Sequence, residues 1–173
     1  MKYAVIDVGS NTVRLCVYDV LCPEKRKFKT IMNRKIMAGL AAYIVDGAFS
    51  DEGIAEAILA VKKCIKRASY LSPDRIDVFA TAVLRNISNS AQAIAAIEQG
   101  AGCSISLLSN ADEAHLGFVG ASSRGTLDDG ALIDIGGGST EITVIENGID
   151  VARTSLPQGS LSSYKRFVGD ILP

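Results

Sequence analysis

Two segments of the chain join a carboxylate to glycines and hydroxyls in a spacing suited to holding phosphate. They are Asp7-Val8-Gly9-Ser10-Asn11-Thr12 and Asp134-Ile135-Gly136-Gly137-Gly138-Ser139-Thr140-Glu141. Each follows a short apolar run rich in β-branched residues, so each reads as a strand that ends in Asp and turns through glycine. Glycine lets the backbone approach a ligand closely, and consecutive N–H groups with nearby hydroxyls can cradle phosphate oxygens. The carboxylate adds a hard oxygen ligand of the kind Mg²⁺ takes. One such turn alone reads first as a hairpin with a solvent-facing Asp.

The turn occurs twice, and its surroundings repeat with it. Ala4-Val5-Ile6-Asp7-Val8-Gly9 matches Ala131-Leu132-Ile133-Asp134-Ile135-Gly136 without a gap, and the same offset carries Thr12 to Ser139, Leu15 to Ile142 and Val17 to Val144. One supersecondary unit therefore opens each of two related domains. Facing one another, the two turns would clamp a phosphate chain from both sides.

The elements that position these turns follow from the pattern. Tyr3 to Val8 and Val13 to Val20 read as a hairpin, and Lys25 to Met32 as a third strand. Ser50 is the N-cap of a helix running to about Leu71, with Asp51 and Glu52 in its first turn and Lys66 and Arg67 near its end. Strands at Ile76 to Ala80 and Cys103 to Leu108 alternate with helices from Ser90 and from Asn110. Strands then fall at Ala131 to Ile135, Glu141 to Glu146 and Gly148 to Leu156, and a last helix begins near Ser160. The order β-β-β-α-β-α-β-α describes an α/β mixed sheet with flanking helices. The expected division is a first domain over 1–125 and the start of a similar, incomplete one over 126–173. Pro173 falls where more sheet should follow, so the second unit is expected to expose a sheet edge and an apolar face. Self-association, such as a homodimer formed through that unit, is the expected consequence.

The composition excludes several classes. The 173 residues are 48% hydrophobic and 21% charged, a soluble globular balance. Eighteen Lys and Arg against nineteen Asp and Glu leave a net charge of −1. No global basic field exists for a nucleic acid polymer or an anionic membrane, and a polyanion must be held locally. The four cysteines make no close pair of the kind structural zinc uses. Without a secretory pattern or a membrane-length apolar run, the chain reads as soluble and cytoplasmic.

Four segments occur in a telling order: Asp7 to Thr12, Thr81-Ala82-Val83-Leu84-Arg85, Asn110-Ala111-Asp112-Glu113-Ala114, and Asp134 to Glu141. The set resembles the exopolyphosphatase / guanosine pentaphosphate phosphohydrolase (Ppx/GppA) family, over essentially the whole chain but only the N-terminal part of a family member. The resemblance implies the actin-like ATPase superfamily, with its ribonuclease-H-like domains. It also implies Mg²⁺-dependent hydrolysis of the terminal phosphoanhydride of polyphosphate or guanosine pentaphosphate. Glu113 takes the place of the family's catalytic glutamate, which activates water, although Asn110 and Glu113 also fit a capping box. Arg85 would stabilise charge on the transferring phosphoryl group, or be a solvated surface charge. Asp134 and Glu141, and more weakly Asp7, resemble metal-holding carboxylates. Gly9, Ser10, Asn11, Thr12, Gly136, Gly137, Gly138, Ser139 and Thr140 would hold phosphates.

The chain departs from the family pattern at His115, where arginine is common, at Arg14, where histidine is common, and at Ser162, where an arginine is usual. His115 is expected to be a partly exposed helix residue. The basic run Lys25, Arg26, Lys27, Lys29, Arg34 and Lys35 could extend a polyphosphate track or simply protect an edge strand. Two other readings stay open: a truncated, catalytically weak phosphate-binding relative, and a kinase of the same superfamily.

Overall fold

A computed structural model describes residues 1–24, 27–123 and 125–168. The chain divides into two compact units, Met1–Leu107 and Leu108–Pro173.

In the first unit, β1 (Lys2–Val8) pairs antiparallel with β2 (Thr12–Cys22), which pairs antiparallel with β3 (Lys27–Met37). A single 3-10 turn (Leu40–Tyr43) and the two-residue strands β4 (Ile44–Val45) and β5 (Ala48–Phe49) lead into α1 (Asp51–Ser69). Then follow β6 (Arg75–Ala80), the one-turn α2 (Ala82–Arg85), α3 (Ser90–Ala101) and β7 (Ile105–Leu107). The sheet order is β3-β2-β1-β6-β7, and β1 runs parallel to β6 from Tyr3 opposite Arg75 to Val8 opposite Ala80. Alternation buries one face: Ala4, Ile6, Val8, Val13, Leu15 and Val17 are each 0% exposed. Helix α1 meets them with Ile54, Ala57, Val61, Cys64 and Ala68, a stripe at helical spacing. Each fully buried Ile, Leu or Val in such a face contributes roughly 1.5–3 kcal/mol. The helix starts where Ser50 accepts a hydrogen bond from the Gly53 N–H at 3.2 Å, as a serine cap should.

The third strand extends to Met37, further than the sequence suggests, because β2 is long enough to pair with it as far as Thr12 opposite Met37. Its exposed lysines and Arg34 lie on the edge of the sheet. Lys25 and Arg26 of the basic run, and Pro173, lie outside the described residues.

The second unit contains α4 (Asn110–Ser122), β8 (Gly130–Ile135), β9 (Thr140–Glu146), β10 (Ile149–Leu156) and α5 (Ser160–Phe167). Its sheet order among the described residues is β10-β9-β8. Helix α4 packs on β9 and β10, so it sits with the strands that follow it rather than closing the 1–125 segment. No helix among the described residues is long and apolar enough to cross a membrane.

Candidate active site

The two turns have the same backbone geometry. Gly9 N–H donates to Thr12 O at 3.1 Å, and Gly136 N–H donates to Ser139 O at 2.9 Å. A Cβ at either glycine would lie 3.2 Å from that same carbonyl, tight enough to favour glycine at both. The matched carbonyls Ser10 O and Gly137 O are both engaged, while the second engaged carbonyl is Asn11 O in one turn and Gly136 O in the other. Ser10 O accepts from Ala41 N–H at 2.8 Å and Asn11 O from Gly39 N–H at 2.9 Å, both at the start of the 3-10 turn. In the second unit Gly136 O accepts from Ser160 N–H at 2.9 Å and Gly137 O from Leu161 N–H at 3.0 Å, both in the first turn of α5. Their carbonyls are committed to a helix start. Among the backbone bonds of the described turns and loops, none is donated by the N–H groups of Ser10, Asn11, Gly137, Gly138 or Ser139. Such rows of backbone donors suit an anion.

Gly159 makes this arrangement possible in the second unit. A Cβ there would meet Gly136 O and Gly137 C at 2.6 Å and Gly137 O at 2.7 Å. All three atoms are backbone, so the close approach tolerates no side chain. Its φ of −129° is ordinary extended backbone, and the requirement is for space. Ser162 Oγ accepts from Gly159 N–H at 2.7 Å. The residue standing where the family usually has arginine therefore caps α5. Thr140 Oγ1 donates to Gln158 O at 2.6 Å, which ties the start of β9 to the segment before α5. That proton is spent on the scaffold, and the backbone amides carry more of the donor capacity of this turn than its threonine.

Helix α4 lies over the carboxylates of the second unit. Asp134 stands directly opposite Glu141 across β8 and β9, so both side chains project from one face of the sheet. Thr143, further along that face, is within 3.4 Å of Ala114 O in α4, and a Cβ at Gly117 would be 3.8 Å from Asp134 Oδ2. Glu141 is 4% exposed and accepts a hydrogen bond from Ser155 Oγ at 2.9 Å. Asp134 is exposed. The N-cap of α4 is Ser109, whose Oγ accepts from Asp112 N–H at 3.1 Å and donates to Asp112 Oδ2 at 2.6 Å. Capping thus falls to Ser109 and Asp112, one residue earlier than an Asn110–Glu113 box would place it. Glu113 is half-buried in the same turn.

The donor set of the second unit fits Mg²⁺. That ion is commonly held by one or two carboxylates together with substrate phosphates and water rather than by a full protein cage. Asp134 and Glu141 would supply such a pair, and no group of three or more potential metal-holding His, Cys, Asp or Glu side chains forms among the described residues. The first unit differs. Asp7 is exposed and stands opposite Arg14 rather than a carboxylate. Arg14 Nε donates to Asn33 Oδ1 at 3.1 Å. A guanidinium across the ladder makes Asp7 the poorer metal ligand. Arg85 ends α2 and is half-buried, with Nε and Nη2 shielded from solvent.

Sequence reasoning missed a second cluster beside this site. His115 Nδ1 lies 2.7 Å from Asp150 Oδ2, and Arg153 Nε lies 2.6 Å from the same oxygen. The hydrogen bond from His115, ahead of the hydrogen bond and charge of Arg153, holds the Asp150 carboxyl below the usual carboxylate range. His115 also stacks on Phe118, centroids 6.5 Å apart. A lone histidine opposite a single Asp 35 residues away leaves no signal in sequence spacing.

The five-stranded mixed sheet with flanking helices, and the paired turns, agree with the actin-like, ribonuclease-H-like fold expected from the sequence. A profile of the Ppx/GppA phosphatase family matches residues 22–173, and the chain belongs to that family. An exopolyphosphatase from Cytophaga hutchinsonii superposes with a TM-score of 0.86 at 25% identity, over 97% of this chain and 54% of that one. The Ppx/GppA family member of Aquifex aeolicus gives 0.80 at 22% identity, over 96% of this chain and 54% of that one. The ethanolamine utilization protein EutJ of Carboxydothermus hydrogenoformans shares the fold at 0.54 and 23% identity, over 92% and 53%. The chain spans about half the length of the solved relatives it matches.

Proposed function

We propose that this chain is a phosphohydrolase that removes the terminal phosphoryl group from inorganic polyphosphate or guanosine pentaphosphate, with water activated by Glu113. The observation that carries the reading is the duplicated turn, closed by the same backbone hydrogen bond in each unit. Family membership and likeness to a protein described as an exopolyphosphatase support it.

In this reading the turn amides bind and orient phosphate oxygens. Glu113 accepts a proton from water as the water oxygen bonds to the terminal phosphorus. The bridging P–O bond breaks, its electron pair goes to the leaving phosphate, and orthophosphate departs. The Arg85 guanidinium offsets charge on the equatorial oxygens. Asp134 and Glu141 would hold Mg²⁺, which when bound supplies charge neutralisation to the phosphates. Four free cysteines fit a reducing, cytoplasmic setting. Among the described residues β8 pairs only with β9, and an open strand edge of this kind favours self-association, a homodimer included.

The test is phosphate release by the chain with and without Mg²⁺, from long-chain polyphosphate, guanosine pentaphosphate and ATP. Release is expected from one of the first two, lowered by about 10²–10⁴ in Glu113→Gln. Preference for ATP would point to the kinase-like reading. Absence of release from all three would overturn hydrolysis by this chain and leave a phosphate-binding relative.

A further inference from the structure

The position that resembles the family's arginine carries His115, and its side chain turns to β10. His115 Nδ1 and Arg153 Nε share Asp150 Oδ2 at 2.7 and 2.6 Å. The Asp150 side chain is 7% exposed, whereas that of His115 is 44% exposed. One buried carboxylate thus anchors an exposed helix residue to a strand. The anchor falls two residues beyond Glu113 and next to Ala114, whose carbonyl O meets Thr143 of β9. From the next turn, Phe118 stacks on the His115 ring. The first turn of α4 is therefore fixed from three sides: by its Ser109 cap, by the Thr143 contact, and by the Asp150 anchor.

From this geometry we propose that His115 is a positioning residue for Glu113, holding the first turn of α4 against β10 through Asp150 and Arg153. The inference rests on the reading of Glu113 as the base. Only a donor at the Nδ1 position is needed, since Asp150 is an acceptor kept charged by Arg153. Other charged groups on the elements packed here are Asp112 and Glu113 on α4, the first spent on the cap, Asp134 on β8, and Glu141 and Glu146 on β9. A displacement of the base by about an ångström is enough to slow chemistry while leaving phosphate binding intact.

Two substitutions separate this role from simple packing. His115→Phe keeps a ring against Phe118 and removes the donor. His115→Asn places an amide N–H near the Nδ1 position and removes the ring. Both would be made in the whole chain and read in two ways: amide hydrogen exchange across α4, and steady-state phosphate release from polyphosphate and guanosine pentaphosphate. The expected result for His115→Phe is about tenfold faster exchange at the Glu113 and Ala114 amides. Its kcat should fall about tenfold with KM within twofold of wild type, and His115→Asn should restore both. If the wild-type chain releases no phosphate, the hydrolase reading fails, and exchange alone decides whether His115 orders this turn. Unchanged exchange in His115→Phe, equal behaviour of the two variants, or a change confined to KM would each overturn the proposal.

Discussion

The same strand is a core element in one unit and a boundary in the other. In β1, Ile6 and Val8 are both 0% exposed; their counterparts in β8, Ile133 and Ile135, are 58% and 66% exposed. The opposite faces reverse this. Glu141, Thr143 and Ile145 are buried at 4%, 1% and 4% under α4, while Arg14, Cys16 and Tyr18, at matching positions, are half-exposed. Matched strand positions thus meet opposite fates, according to which helix covers which face. The difference teaches that the apolar pattern of a strand reports what it can bury, and that its neighbours decide what it does bury. β1 has β6 beside it in parallel and α1 across one face, whereas β8 pairs only with β9 among the described residues.

The comparison breaks most visibly when charge is placed on the matched strands. Val8→Asp buries an unpaired carboxylate and should cost about 4 kcal/mol or more, a large part of a typical 5–15 kcal/mol stability. Ile135→Asp should stay within about 0.5 kcal/mol and lower self-association. Urea unfolding and sedimentation velocity read the two effects, and equal destabilisation would refute the contrast. Next in size is Gly159→Ala, whose Cβ would press within 2.6 Å of the glycine turn's backbone. A loss of about 1–3 kcal/mol is expected, with weaker phosphate binding by the second unit. Gly9→Ala and Gly136→Ala, each facing a 3.2 Å contact, should lose less than Gly159→Ala and match one another. A large disparity between those two would mean that the turns are not equivalent.

The smallest effect sharpens the same comparison through pH. Asp150 belongs to the unit in which α4 covers the sheet, and His115 and then Arg153 lower its carboxyl pKa. A group lowered in the folded state adds stability above its unfolded value, near 3.9, and loses it as pH falls through the lowered one. The urea midpoints of wild type and Asp150→Asn should therefore differ at pH 7 and converge toward pH 2. A gap that persists in acid would show that Asp150 acts by shape rather than charge.

The duplicated turns were legible in the sequence because Asp, Gly and hydroxyl residues recur at one offset after β-branched runs. The carboxylate pair Asp134 and Glu141 was legible for the same reason, since a tight hairpin sets its ends opposite one another. The α4 cap was misplaced by one residue, as Ser109 and Asn110 are both good caps and Asp112 and Glu113 are both acidic. The side on which α4 packs was not legible, because chain order does not say which sheet receives a helix. Gly159 and the His115–Asp150 pair were hidden for a related reason. Their partners lie on other elements, and only tertiary placement brings them within reach.

That placement of α4 has a consequence for synthesis. The helix leaves the ribosome before β9 and β10, the surface it rests on, have been translated. At about 5–20 residues per second, some seconds pass with Ala114 and Phe118 uncovered. A helix of 13 residues is marginal on its own in water. The segment that carries the proposed catalytic base is thus a latecomer, and it acquires its final form only when β9 and β10 arrive to receive it.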